Sequence, residues 1–256
     1  MKQTRGLLNS LVVCGVALAM VSTLAAQTAN ETVAKVVRIS GKVRYKAANN
    51  DWLPLKGGDI VKPGTIIQTA AKASVDFALG SSSAPVAHPI LPNEGLIFQP
   101  NIEQNIVRMW ENTLMSIDKL TSTQTGADEV TETQLDLKAG HIFGMVKKMS
   151  AGSKYEVKIP SGVAGIRGTV FDITAEGVIK VLSGSCVLAY AGPNGVVVTQ
   201  VIMAGQEFDA RTGILSQMPP VDIRALDRLI KELRTGFIMA PTYITPDRTI
   251  IYVSPH

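Results

Sequence analysis

SKYEVKIPSGVAGIRGTVFDI, residues 153–173, opens as an extended run with Tyr155, Val157 and Ile159 on one side. It breaks at Pro160 and resumes as a strand after glycines at 162, 165 and 168. Alternation with a period of two marks a half-buried strand, and glycines let backbone approach backbone or take φ > 0. Arg167, between Ile166 and Gly168, is the unusual member, because a guanidinium is seldom buried unpaired. It reads either as a corner residue that ties down carbonyls or a carboxylate, or as part of an exposed anion site lined by glycine N–H groups. The corner is the expected role.

The same grammar extends in both directions. Val33–Ile39, Lys42–Tyr45, Thr65–Thr69, Ser74–Leu79, Thr133–Leu137, His141–Lys147, Val178–Leu182, Cys186–Tyr190 and Val196–Met203 are short apolar or alternating runs bounded by Gly, Pro and Asn. Strands at this spacing, with no helical pattern between them, predict an all-β domain of many short strands, rolled or barrel-like. Glu111-Asn112 predicts a tight hairpin between Ile106–Trp110 and Thr113–Leu120. A weak repeat recurs at Ser40-Gly41, Ala139-Gly140, Ser183-Gly184 and Ala204-Gly205, each between two strand-like runs. Gly at such places predicts a bulge, a bend or a close approach. Residues 80–92, rich in Ser and Pro, and residues 121–132, rich in Thr and acids, read as exposed loops.

Beyond Gly213 the pattern changes. After Pro219-Pro220, Leu226, Leu229, Ile230 and Leu233 recur at helical spacing with charges on the opposite side, which predicts an amphipathic helix over 221–235. Asp222 is the expected cap and Gly236 the expected stop. The apolar stripe is expected to dock on the chain's own sheet rather than on a partner. The division that follows is a leader over 1–26, a β-domain over 27–212 and a C-terminal extension over 213–256.

The leader reading rests on Lys2 and Arg5, then sixteen mostly apolar residues from Leu11, then small residues before Gln27. That is the layout of a secretory signal peptide cut near Ala26, and it is short of the ~20 residues of a spanning helix. No membrane span is then expected after cleavage. Outside the leader stand 23 basic and 21 acidic residues, which is no electrostatic footprint for nucleic acid. Cleavage would leave Cys186 as a lone thiol in an apolar run, expected to be a structural one.

Chemistry finds little purchase. There is no Gly-x-Ser-x-Gly elbow, no Gly-Lys-Ser/Thr phosphate loop, and His88, His141 and His256 are scattered. Neither a catalytic residue, a metal site nor a cofactor is expected. Trp52 and Trp110 are candidates for a binding surface, against the alternative of core or rim packing.

Tyr155–Ile173, with "GKVRY" and "WLPLKGGDIVKPGTIIQT" (Gly41–Thr69) and "VIKVLSGSCVLAY" (Val178–Tyr190), resembles the FecR domain. This is the periplasmic module of bacterial FecR-type signalling regulators, and the likeness spans about residues 33–210. It implies an all-β roll that acts by protein contact, with Tyr155, Pro160, Gly162, Gly165, Arg167 and Gly168 as its motif, structural or binding. Family members that regulate iron transport carry a cytoplasmic anti-sigma segment and a membrane helix, for which this sequence has only the leader. The expectation is therefore a non-enzymatic protein of the periplasm or extracellular space that contacts an envelope protein. The alternative is a cell-wall or extracellular polysaccharide.

Overall fold

The computed structural model describes residues 29–47, 51–81, 105–126, 128–192 and 195–239. The leader, most of 80–92 and the chain beyond Met239 lie outside these residues. Strands β1 (Asn30–Glu31) and β2 (Val33–Ser40) form nearly one line, joined at Thr32, whose N–H donates to the Leu120 carbonyl. They are followed by β3 (Val43–Lys46), β4 (Leu53–Pro54), β5 (Ile60–Val61), β6 (Thr65–Thr69), β7 (Ser74–Ser81) and β8 (Asn105–Met109). Next come β9 (Leu114–Thr125), β10 (Asp128–Ala139), β11 (His141–Met145), β12 (Lys154–Ile159) and β13 (Gly162–Thr174). The last strands are β14 (Val178–Ala191), β15 (Val197–Met203), β16 (Gln206–Asp209) and β17 (Ile214–Gln217), ahead of helix α1 (Pro220–Met239).

Pairing runs in a closed circuit. β2 pairs β7, β7 pairs β8, β8 pairs β11, and β11 lies on the C-terminal half of β13. The N-terminal half of β13 carries β12, which runs parallel to β10; β10 pairs β9, and β9 returns to β1. Closure removes edges that would otherwise be open. β6, β3 and β4 extend from β9, while β14 lies along the other edge of β13 and carries β15 and β16, with β17 outermost on β16. The expected all-β roll is what the chain forms.

The interior is the inward side of this circuit. Phe77, Val107, Met115, Leu135, Tyr155, Val157, Phe171, Ile173, Leu188 and Phe208 are buried in one core. The four repeated glycines each take positive φ, between 74° and 82°. At Gly184 the need is doubled, because a Cβ there would overlap the Gly168 carbonyl.

Three expectations change. The expected loop over 121–132 is strand at 121–125 and 128–132: these residues complete β9 and β10, a long antiparallel hairpin whose outer end is polar because it is solvated on both faces. The turn at Glu111-Asn112 makes no hairpin, since β8 goes to β7 and β11 while β9 goes to β6, β10 and β1. The sheet also continues past residue 212, where β17 pairs β16.

Helix α1 covers the region expected of it and runs past Gly236 to Met239. Asp222 lies inside the first turn rather than capping it, as the Pro219 carbonyl accepts from the Asp222 and Ile223 amides. Leu226, Leu229 and Leu233 are buried against Ile106, Phe143 and Met218 on the outside of the sheet, with Ile223 and Ile230 half-buried beside them. Leu233→Ala is expected to cost about 2–5 kcal/mol and Ile230→Ala clearly less, read as loss of Tm by calorimetry. A chain ended at Pro219 that melted no earlier would contradict the docking.

Candidate functional site

Beneath the helix, seven adjacent strands place one side chain each in a single transverse row. Register pairs Arg38 with Asp76, Asp76 with Arg108, Arg108 with Phe143, Phe143 with Asp172, Asp172 with Lys180 and Lys180 with Glu207. The charges alternate on either side of Phe143. Arg108 grips Asp76 with two bonds, Nε to Oδ1 at 2.6 Å and Nη2 to Oδ2 at 2.9 Å, and Arg38 Nε donates to the same Oδ2 at 2.9 Å. Asp76 and Arg108 are both buried.

Helix α1 reads this row from above. Glu232 Oε1 accepts from Arg38 Nη2 at 2.9 Å and Arg108 Nη2 at 3.3 Å, and Asp222 accepts from Lys180 at 2.5 Å. Ten residues of helix rise about 15 Å, and the three strand spacings from β14 to β8 span about 14 Å. The helix therefore crosses the strands along the row. Burial draws the Arg108 guanidinium pKa down, but Asp76 and Glu232 outweigh it and leave the group more basic than usual; Lys180 behaves likewise with Asp222 and Glu207.

The motif around residues 155–173 divides in two. Tyr155 is fully buried, edge-on to Phe171 at 6.2 Å, and burial raises its phenol pKa. Pro160 and Ser161 form a two-residue turn, since Ile159 pairs Gly162. Gly162 passes so close to the Ala189 carbonyl that no Cβ fits, whereas Gly165 has ordinary room. Gly168, at φ 60°, sits in the register shift between Arg167 and Val170. Arg167 is exposed, and its side chain makes no hydrogen bond or ion pair among the described residues.

Arg167 instead shares the outer face of β13–β15 with Val163, Val187, Val201 and Met203, all exposed. β15 pairs only β14 among the described residues, and no charge stands between Val196 and Met203. The sequence offered a signal for this face in its uncharged run from Gly192 to Gln206.

The two tryptophans part company. Trp52 stands at the surface and lines an open groove of about 840 Å³ with Lys42, Arg44, Gln68 and Asn112. Trp110 belongs to the cluster under the helix, stacked on His141 with centroids 5.8 Å apart and with the Arg108 guanidinium 5.2 Å from its ring. His141 Nε2 meets Asp172 Oδ1 at 2.7 Å. That pair has the geometry of an oriented base, but among the described residues no hydroxyl or thiol bonds the imidazole as a nucleophile would. Cys186 is buried, and desolvation pushes its thiol up to about 12. No group of three His, Cys, Asp or Glu among the described residues could hold a metal.

Residues 103–186 match the family model described as FecR protein. The match runs from β8 through Cys186 and takes in all of Tyr155–Ile173, so the FecR-domain likeness holds over this segment. Gly41–Thr69 lies outside it. A crystal structure of a candidate anti-sigma factor from Parabacteroides distasonis is similar at 11% identity and TM-score 0.41, over 67% of this chain and 74% of that one. A second crystal structure, also of a candidate anti-sigma factor from that organism, gives 13% identity and TM-score 0.36 over 52% and 66%. No curated protein matches the chain. No helix among the described residues is long and apolar enough to cross a membrane.

Removing one partner of a buried ion pair strands the other. Asp76→Asn is expected to cost about 3–5 kcal/mol in urea unfolding, and Glu232→Gln, at an exposed site, under about 1 kcal/mol. Equal losses would show that Glu232 carries as much as Asp76. An ordinary thiol titrates near 8.5, so the upward shift on burial keeps Cys186 protonated at pH 8. A Cys14→Ser chain should ignore Ellman's reagent at that pH until denaturant is added; prompt labelling of the native protein would contradict this burial.

Proposed function

We propose that the protein is a non-enzymatic, exported interaction module of the cell envelope that binds another protein through the outer face of β13–β15. The observation that carries this reading is the exposed apolar surface itself. Val197 is 71% exposed, Met203 52%, Val201 47% and Val187 43%. Apolar surface of this extent beside an uncharged strand edge marks a contact site more often than bare solvent-facing sheet. β15 pairs no second strand among the described residues, and an edge of that kind can take an extended segment of a partner by main-chain bonds. The FecR likeness supports protein contact as the mode of action. The leader-like residues 1–26 support export, with periplasm or extracellular space as the destination.

The experiment is crosslinking of the tagged protein in the envelope of its own host, followed by separate recovery of protein-bound and wall-bound material. One dominant protein adduct is expected, and Val201→Glu should remove most of it while leaving Tm within a few degrees. An adduct that survives both Val201→Glu and Val187→Glu would remove this face from the reading. N-terminal sequencing of the exported chain should begin at Gln27; retention of Met1 in the cytoplasm would end the export proposal.

A further inference from the structure

The groove beside Trp52 is a rigid site with a definite chemical character. Its floor is built from three turns locked together: the Ala70 N–H donates to the Lys42 carbonyl at 3.0 Å, the Asn112 N–H to the Ala70 carbonyl at 3.3 Å, and the Lys72 N–H to the Glu111 carboxylate at 2.5 Å. Lys72 and Asn112 are the two non-glycine residues with positive φ among the described residues, at 57° and 54°. Such conformations persist only where the surroundings enforce them.

The wall is fixed in the same manner. The Arg44 guanidinium lies 4.5 Å from the Trp52 ring centroid, and its Nε and Nη2 both donate to Gln68 Oε1, at 2.9 and 2.7 Å. A chain of contacts from β6 thus sets the plane of an exposed indole. Arg44 Nη1 keeps its donors unengaged among the described residues, and Lys42 stands exposed beside it. Among the described residues no carboxylate lines the groove; the Glu111 carboxylate, next to Asn112, accepts from the Lys72 backbone N–H. A flat aromatic ring, two cations and the side-chain amides of Gln68 and Asn112 are the complement of a ring-shaped, hydroxyl-rich anion.

We propose that this groove binds an acidic polysaccharide, with a pyranose ring against Trp52 and uronate carboxylates at Lys42 and Arg44. The site is separate from the outer face of β13–β15 and stands or falls independently of it. The test titrates the full chain, as its host produces it, with sodium polygalacturonate and, in parallel, with neutral dextran. Saturable binding to polygalacturonate is expected, weakened by added salt, and dextran should not bind. Trp52→Ala and Lys42→Glu should each weaken the affinity by about tenfold or more, while Val201→Glu leaves it unchanged. Lys42 makes no side-chain bond among the described residues, so its variant reports on binding even if Trp52→Ala fails to fold. Absence of saturable binding, equal binding of dextran, or undiminished affinity in Lys42→Glu would overturn the proposal. So would a photocrosslinker at position 53 that captures protein and no glycan.

Discussion

Arg38, Asp76 and Arg108 stand side by side on three neighbouring strands, and the remaining architecture is arranged around keeping them paired. Burying charge is costly, and a buried ion pair often contributes little net stability compared with apolar residues of the same volume. What such a pair can fix is register. A slip of one residue in β7 would carry Asp76 into the core and bring Phe77 out under the helix, and the same holds for Arg108 between Val107 and Met109. Extended through Asp172, Lys180 and Glu207, the row sets the alignment of six strands by charge as well as by shape. Helix α1 completes it, because two arginines against one aspartate leave a positive charge that Glu232 balances.

A second constraint lies in β13 and β14, two strands of that row. β13 pairs β11 through Val170–Thr174 and β12 through Gly162–Gly165, so it must bend between the two. β14 bends with it, carrying β16 on one half and β15 on the other. The two bends meet where Gly184 faces the Gly168 carbonyl, at a distance only a residue without Cβ permits. Among the described residues Arg167 precedes this bend without bonding across it; the glycines and the Thr169 hydroxyl, which donates to the Ser185 carbonyl at 2.7 Å and accepts from the Ser185 N–H, hold the corner.

The all-β class was legible because most strands are buried on one face, and alternation records that burial directly. The helix was legible for the corresponding reason at its own period. The 121–132 segment was misread because its hairpin end is polar on both sides, so alternation vanishes; its Thr-rich composition, favourable for strands, was the surviving signal. Pairing was harder. Neighbours in sequence usually pair, but the turn at Glu111-Asn112 sends β8 and β9 to different parts of the circuit, and only long-range contacts settle that. The charged row leaves a trace in the sequence: Asp76 between Val75 and Phe77, and Arg108 between Val107 and Met109, are lone opposite charges in apolar runs, and buried charges need partners.

These constraints also explain why the outside of the sheet is finished on one half only. Up to the bend, its apolar residues (Ile106, Phe143, Met145, Val170 and Leu182) lie under α1. Past the bend, Val163, Val187, Val201 and Met203 continue the same side of the sheet with nothing over them among the described residues. The helix cannot slide across to serve both halves. Its contacts at Lys180 and at Arg38 and Arg108 fix both its direction and its position along the row, and each step away would break a charge pair whose members lie partly or wholly beneath it. Exposed valines on an uncharged edge strand are a hazard that folded proteins ordinarily blunt with charge, proline or a covering element. Here the covering element is held over the other half by its charge pairs, so among the described residues the valines of β13–β15 keep the exposure that the helix removes from Ile106, Phe143 and Met218.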